Sequence, residues 1–390
     1  MSLLHNKMTR GLAGLALALG VSNSALAEYR LNFQEPVTAI GHQVYSLHMM
    51  IFWICVVIAI VVFGVMFYSM YAHRKSRGAV AADFHENTKL EIIWTIIPFV
   101  ILISMAIPAT SALINYENTA DADLTVKITG MQWKWKYEYT GEGEGVKMIS
   151  ALVPEQYNAA QKEGGKGIEK FDPHGDTPYL LTVDHQLVLP VGKKVRFLIT
   201  SDDVIHSWWV PQLATKKDAI PGFVNETWTK IDKPGTYRGQ CAELCGKDHA
   251  FMPIVVHAVA ESDFKTWLAD AKTSAAAAAA EAASGKEWSK DELMAKGKEI
   301  FTGKGGCFGC HGMNGEGVAT FPHLAGAAIA NGTDHSAHIT TVVHGRPGTA
   351  MAAYGNQLND LELAAVITYE RNSWGNTGGI VQPKDIKSAR

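Results

Sequence analysis

Two apolar runs without a single Asp, Glu, Lys or Arg constrain this chain more than anything else in it: residues 46–71 and 92–114. At about 1.5 Å per residue, each can cross the roughly 30 Å hydrocarbon layer of a bilayer as a helix. A buried pair of soluble helices is the rival reading, and runs this long and charge-free oppose it. Arg74, Lys75, Arg77 and Lys89 lie around the connection with His73, whereas Arg30 is the only Lys or Arg between position 27 and the first run. The excess of positive charge places the connection in the cytoplasm and both flanks on the outer side. A two-pass hairpin follows.

Residues 1–27 carry Lys7 and Arg10, then an apolar stretch from Leu12 to Leu19, then Ala25-Leu26-Ala27. That is the layout of a cleaved secretory leader, with Glu28 as the first mature residue; an uncleaved anchor is the alternative. A length of 390 residues is too much for one ordinary domain and asks for two or more folded units. With 35 basic against 38 acidic residues there is no positive surplus to suggest nucleic acid. Four of the five cysteines form two closely spaced pairs, and the fifth, Cys55, sits in the first apolar run.

After the hairpin the pattern changes to short β-rich runs, among them 124–129, 194–200 and 253–257, punctuated by Pro-Gly turns. We read 28–120 as the N-terminal segment with its two spans, and 121–265 as a β-sandwich. Near its end lies Cys241-Ala242-Glu243-Leu244-Cys245-Gly246-Lys247-Asp248-His249-Ala250-Phe251-Met252. Two thiols, an imidazole and a thioether in one loop are soft donors, the combination that favours copper. His206, at a strand end upstream, supplies a second imidazole, and with a loop carbonyl the set suffices for two copper ions. A zinc site and a Cys241–Cys245 disulfide are the rivals; zinc has little use for Met252, and a disulfide leaves both histidines unexplained. Trp133, Trp135, Tyr137 and Tyr139 alternate along one strand, as packing or a membrane-interface belt would have them. Residues 155–176 read as a polar surface insertion, and Asp184, Asp202 and Asp203 as scattered surface charges.

Residues 266–288, with six alanines from Ala275 to Ala280, read as a partly helical linker to a last unit over 289–390. Ser289 and Glu292 form a capping box that opens a helix reaching about Phe301. Cys307-Phe308-Gly309-Cys310-His311 is the C-x-x-C-H attachment signal for haem c, with His311 as axial ligand; a thioredoxin-like pair lacks its β-α-β setting here. Met351 is the preferred second axial ligand, and His323, His335, His338 and His344 are the alternatives.

The copper loop resembles the dicopper CuA loop of subunit II of haem-copper cytochrome c oxidases. Asp218-Ala219-Ile220-Pro221-Gly222 and Pro234-Gly235-Thr236-Tyr237-Arg238-Gly239-Gln240 extend the resemblance, which runs from about 37 to about 260. Residues 289–375 resemble small class I cytochromes c, so the combination is similar to the caa3 type. The resemblance implies a multidomain chain: a transmembrane hairpin, an all-β cupredoxin-like domain, and an all-α cytochrome c domain. It implies that Cys241 and Cys245 bridge two coppers, that His206 and His249 bind one each, and that Met252 and the Glu243 carbonyl complete the site. It further implies a magnesium ion at the Glu243 side chain on the border with subunit I, electron entry at Trp133, and a proton-channel entrance at Glu91. The expected partners are subunits I and III, a cytochrome c or quinol-cytochrome c reductase as donor, and membrane lipid. The expected place is a bacterial inner membrane with both redox domains in the periplasm, and the expected outcome is reduction of oxygen with proton pumping. A nitric oxide reductase subunit and a membrane-anchored copper carrier are the other functional readings.

Overall fold

The computed structural model describes residues 32–161, 171, 176–318 and 320–390. The leader expected over 1–27 lies outside them, as does part of the 155–176 insertion. The apolar runs form α1 (Ala39–Ala72) and α2 (Thr88–Glu117), each longer than its charge-free stretch. Capping sets where they start: the Thr38 hydroxyl accepts from the Gly41 amide at 2.9 Å, and the Asn87 side chain accepts from the Leu90 amide at 3.2 Å. The most apolar window of each helix is 0% buried by protein, which leaves lipid as the medium for those side chains.

Both outer ends of the hairpin are tied to one β domain. The Asp232 amide donates to the Val37 carbonyl at 2.9 Å, and the Trp228 indole donates to the Asn115 carbonyl at 3.1 Å. The basic connection is therefore at the far end of the helices, where Arg77 stacks on Tyr71 at 4.0 Å.

The β domain contains β1 (Leu124–Met131), β2 (Lys134–Tyr139), β3 (Lys147–Ser150), β4 (Leu187–Pro190) and β5 (Val195–Ser201), then β6 (His206–Val210), β7 (Thr215–Ala219), β8 (Asn225–Thr229), β9 (Gly235–Cys241) and β10 (Pro253–Val259). Among the described residues they make two five-stranded sheets, ordered β3-β2-β1-β5-β8 and β4-β10-β9-β6-β7. Period-two alternation turns Val126, Ile128, Trp135, Tyr137, Phe197 and Ile199 of one sheet against Leu187, Leu189, Trp208, Ile254 and Val256 of the other. The alternating aromatics of β2 are thus core: Trp135 and Tyr137 are fully buried and Tyr139 is 3% exposed, so packing and not a membrane belt explains them.

One expectation meets a different structure, and the partly helical linker is found with its helix starting earlier. The stretch 155–176 begins not as surface loop but as helix α3 (Pro154–Gln161), whose Gln156 and Tyr157 are buried. The linker 266–288 is helical through Ala283, as the end of α4 (Glu261–Ala283), and the expected boundary at 265/266 falls inside that helix. Phe264 and Leu268 pack into the sandwich core and anchor the helix, and the high helix propensity of alanine carries it on.

The last unit comprises α5 (Lys290–Thr302), α6 (Phe308–His311), α7 (Ala328–Asn331), α8 (Ser336–His344), α9 (Asp360–Asn372) and α10 (Pro383–Lys387). Complete capping boxes open α5 at Ser289/Glu292 and α9 at Asn359/Glu362. These two helices cross at Gly297, where a Cβ would come within 2.1 Å of the Ala365 carbonyl oxygen. Phe301 then packs its ring 5.4 Å from Tyr369 and 5.1 Å from Trp374.

Candidate metal and haem centres

Strand register places the upstream histidine beside the copper loop. Trp208 of β6 pairs with Cys241 at the end of β9, and His206, two residues before Trp208, shares its face. Its Nδ1 lies 3.9 Å from Cys241 Sγ. Gly130 makes room on β1: a Cβ there would stand 2.8 Å from the His206 ring. The other nitrogen, Nε2, meets Asp203 Oδ1 at 2.9 Å, and Asp203 also accepts from the Gln132 and Val204 amides. Burial pushes the Asp203 carboxyl up, but these hydrogen bonds outweigh it and hold the group below its ordinary value. Asp203 is therefore no scattered surface charge. It orients His206 so that Nδ1 faces the sulfurs, the usual role of a carboxylate behind a metal-binding imidazole.

From Cys245 Sγ, Cys241 Sγ is 3.9 Å away, His249 Nδ1 3.4 Å and Met252 Sδ 3.4 Å. The Glu243 carbonyl oxygen is 3.3 Å from Cys241 Sγ. The spacings of 3.3 and 3.4 Å match the edges of tetrahedra with bonds of about 2.0–2.3 Å, since an edge is roughly 1.6 times the bond, and the two of 3.9 Å are slightly longer. The set of two sulfurs, two imidazoles, a thioether and a carbonyl exceeds what one zinc tetrahedron takes and suits copper. A disulfide would need the sulfurs about 2.05 Å apart; both cysteines are free. Hydrogen bonding from the neighbouring Cys245 thiol, helped by His206, drives Cys241 toward thiolate, while the same coupling and burial hold the Cys245 proton on. Copper, by taking both sulfurs, would displace that proton.

The β1–β2 turn fixes the loop from below. Gln132 Nε2 and Trp133 Nε1 both donate to the Cys245 carbonyl, at 2.8 and 3.2 Å, and Trp135 Nε1 donates to the Met252 carbonyl at 3.2 Å.

The last unit encloses a cavity of about 600 Å³ whose walls include Cys307, Cys310, His311 and Met351. A flat, largely apolar macrocycle with a metal at its centre fits this lining, which offers two thiols, two potential iron ligands and the apolar Leu324, Ile329 and Val342. His311 Nδ1 donates to the Pro322 carbonyl at 2.8 Å, which leaves Nε2 as the ring's coordinating nitrogen. Met351 sits on a closed turn, its carbonyl accepting from the Arg346 amide at 2.9 Å. Of the alternative histidines, His323 and His338 also line the cavity, whereas His335 and His344 do not. Among the described residues this unit has no sheet, which removes the β-α-β setting of a thioredoxin-like pair.

The cavity wall also contains Gln132 and Trp133 of the β domain. The two centres thus meet at one turn, and the residues that close the junction were not evident in the sequence. Lys134, 2% exposed, donates from Nζ to the Gly305 and Lys304 carbonyls at 2.7 and 3.1 Å, just ahead of Cys307. Lys247 Nζ donates to the Gly309 carbonyl at 2.9 Å. Tyr157 of α3 packs edge-on to Phe308 at 4.6 Å and bonds Asp248 Oδ2 at 3.2 Å. Strand alternation points Lys134 away from the sandwich core; only the second domain turns that outer face into an interior. Glu91 is elsewhere, exposed in the first turn of α2, separated from Asn115 by about 36 Å of helix.

Comparison with known proteins agrees with this architecture segment by segment. The family described as cytochrome c oxidase subunit II, transmembrane domain, matches residues 27–111; its periplasmic-domain counterpart matches 124–259, and cytochrome c matches 294–374. A probable cytochrome c oxidase subunit 2 of Rickettsia bellii is 38% identical over 241 residues, 62% of this chain and 84% of the relative. The cytochrome c oxidase subunit 2 of Cereibacter sphaeroides is 36% identical over 242 residues, 62% of this chain and 80% of that one. The crystal structure of the periplasmic domain of subunit II of cytochrome oxidase of Bradyrhizobium japonicum is 40% identical, covering 40% of this chain and 98% of that one with a TM-score of 0.33. The chain belongs to the cytochrome c oxidase subunit II family, as a two-pass membrane subunit of a haem-copper oxidase with a cytochrome c domain fused behind its copper domain in the caa3-type arrangement.

Proposed function

We propose that this chain is the electron-entry subunit of a proton-pumping terminal oxidase, with haem c on Cys307, Cys310, His311 and Met351. Two copper ions are held by His206, Cys241, Glu243, Cys245, His249 and Met252. When bound, haem and copper supply reversible one-electron chemistry, accepting from a cytochrome c or quinol-cytochrome c reductase and passing to the haem of subunit I, where oxygen becomes water. The observation that carries this reading is Trp133, which lines the haem cavity with its ring and holds the Cys245 carbonyl with its indole nitrogen. One side chain spans both sites when the domains are docked, so transfer in that state needs no intermediate carrier. A rigid strand pair behind the loop supports fast transfer, because the donors need not move when the charge changes.

The remaining roles follow the same reading. Leu244, Ile205, Phe223 and Val224 are exposed apolar residues in the segments around the loop and His206, a surface suited to subunit I. The exposed Glu243 side chain would face a magnesium ion there. Subunit III completes the assembly, the basic connection of the hairpin lies in the cytoplasm, and both redox domains lie in the periplasm. Glu91, at the cytoplasmic end of α2, is placed to admit protons; Glu91→Gln is expected to slow turnover and proton uptake together.

The deciding experiment uses the full chain matured with haem and copper. Expected are two coppers per chain, an electron paramagnetic resonance spectrum with one unpaired electron shared between two nuclei, and covalent haem. After photoreduction of the haem, Trp133→Ala should delay arrival of the electron at copper at least about 10-fold with both cofactors retained. A single-copper or zinc signal, or an unchanged rate in Trp133→Ala, overturns the proposal.

A further inference from the structure

The loop from Cys245 to Met252 has two faces. His249 Nδ1 and Met252 Sδ turn toward the sulfurs, each 3.4 Å from Cys245 Sγ. The residues between them, Lys247, Asp248 and Phe251, turn instead to α3 and the haem-attachment segment. Tyr157 of α3 fills the angle between loop and segment. Its buried ring stands edge-on to Phe251 at 5.3 Å and to Phe308 at 4.6 Å. Its hydroxyl accepts from Lys247 Nζ at 3.3 Å and faces two acceptors with its one proton, Asp248 Oδ2 at 3.2 Å and the Gly309 carbonyl at 3.3 Å. Lys247 Nζ reaches the same Gly309 carbonyl at 2.9 Å. Gly309 keeps the approach open, since a Cβ there would stand 3.3 Å from Asp248 Oδ2.

The root of α3 lies in the β domain. Leu152, just ahead of it, bridges Val183, and the Val153 amide donates to the Thr182 carbonyl at 3.2 Å. Gln156, fully buried, donates from Nε2 to the Pro178 carbonyl and the Thr182 hydroxyl, both at 3.1 Å. The next residue, Tyr157, reaches outward, and with Leu152 it joins the apolar cluster that holds Ile300, Phe301 and Phe308 of the last unit.

We propose that α3 is a clamp for the fused cytochrome unit, and that Tyr157 is a positioning residue for electron transfer, locking the Phe308–Gly309 segment onto the outer face of the copper loop; this rests on the electron-entry reading given above. A tether brings the haem unit close to the loop in any orientation, so orientation has to come from the contact itself. Asp248 is 2% exposed. In a slipped dock its carboxylate or the Gly309 carbonyl would be buried without a partner, which penalises the wrong arrangement. The clamp thereby selects the geometry in which Trp133 lines the haem cavity. The start of a stretch that reads in the sequence as a surface insertion becomes the element that makes the fused cytochrome a fixed donor.

The test uses the full chain matured with haem and copper. Flash photoreduction of the haem reads the share of electrons reaching copper in the fast phase, and relaxation of the copper resonance by ferric haem reads the separation of the two centres. Tyr157→Ala removes the hydroxyl and both ring contacts and should weaken docking roughly 50-fold. A slow phase should appear and the relaxation enhancement should fall, with the haem and copper spectra unchanged. Tyr157→Phe keeps the ring contacts and should recover roughly 5-fold of that loss. Parent-like transfer in Tyr157→Ala with both cofactors in place overturns the proposal. So does a lowered unfolding temperature with unchanged transfer, the result of a purely structural role. Should Tyr157→Ala lose copper or haem, Phe308→Leu carries the test from the other side of the seam: a slow phase is expected, and parent-like transfer overturns the proposal. A parent chain without fast transfer overturns the electron-entry reading together with this inference, whereas fast transfer that Tyr157→Ala leaves untouched overturns this inference alone.

Discussion

The copper loop, carried by strands, and the haem cavity, left between helices, solve opposite problems. In the loop, donors lie within twelve residues from Cys241 to Met252, with His206 added by strand register, and three side chains of the β1–β2 turn and strand pin its carbonyls. In the cavity, the iron-ligand candidates His311 and Met351 are 40 residues apart, and the walls come from several helices. The thiols differ too. Cys241 is driven toward thiolate by its hydrogen bonds, whereas burial pushes Cys310 up to about 11 and Cys307 further. A small metal site is specified by donors at close spacing, and a large organic cofactor by the volume that helices leave between them.

If that contrast is right, damage to one centre should leave the other standing. The largest effect is expected from Cys245→Ser, which removes the sulfur nearest to Cys241, His249 and Met252. Copper affinity should fall by more than about 100-fold, beyond the 10- to 100-fold typical of losing a supporting residue. Oxygen uptake by the assembled oxidase should drop to background while haem content stays whole. Metal analysis beside a haem stain decides it; haem lost along with copper would mean that the two centres fold as one.

The reciprocal case is Gly297→Val. Its side chain would enter the α5–α9 crossing, where even a Cβ sits 2.1 Å from the Ala365 carbonyl. Overpacking of this kind costs about 3 kcal/mol. Thermal unfolding followed at the haem should shift down, with the copper spectrum unchanged below that transition. A copper signal lost in step with the haem would break the comparison from the other side.

What could be read from the sequence follows the same division. Cys241, Cys245, His249 and Met252, and C-x-x-C-H, are local spacings that chemistry alone constrains, and the capping residues Ser289 and Asn359 announce their helices. Lys134, Tyr157 and Asp203 were not legible. Lys134 is polar on the outer face of β2 and becomes interior only when a second domain covers it; Tyr157 sits in a stretch of insertion-like composition; Asp203 reads as surface charge until the turn before β6 folds its carboxylate back onto His206 three residues on. Contacts between domains leave no periodicity in either one.

Lys134 gives the smallest and sharpest prediction, because it belongs to the seam between the two regions. Burial lowers its ammonium from the ordinary 10.5 to about 8. With the cytochrome domain undocked, this lysine of the β domain would be exposed and keep its ordinary value. Below about pH 8 both states carry the proton, and the docked state bears the full cost of burying the charge. As pH rises from about 8 toward 10.5, the docked state sheds its proton first and docking becomes stronger, while the neutral amine still donates to the Gly305 and Lys304 carbonyls. The share of fast haem-to-copper electron transfer should therefore grow over that window. Lys134→Met trades the cost of the buried charge against two unmet carbonyls, a net loss of about 1 kcal/mol, or roughly 5-fold in docking. Its decisive signature is a flat pH response. A slope that survives in Lys134→Met would assign the titration to another group and leave the seam held by Lys247 and Tyr157; a slope that disappears would make one strand residue the link through which proton concentration reaches the electron path.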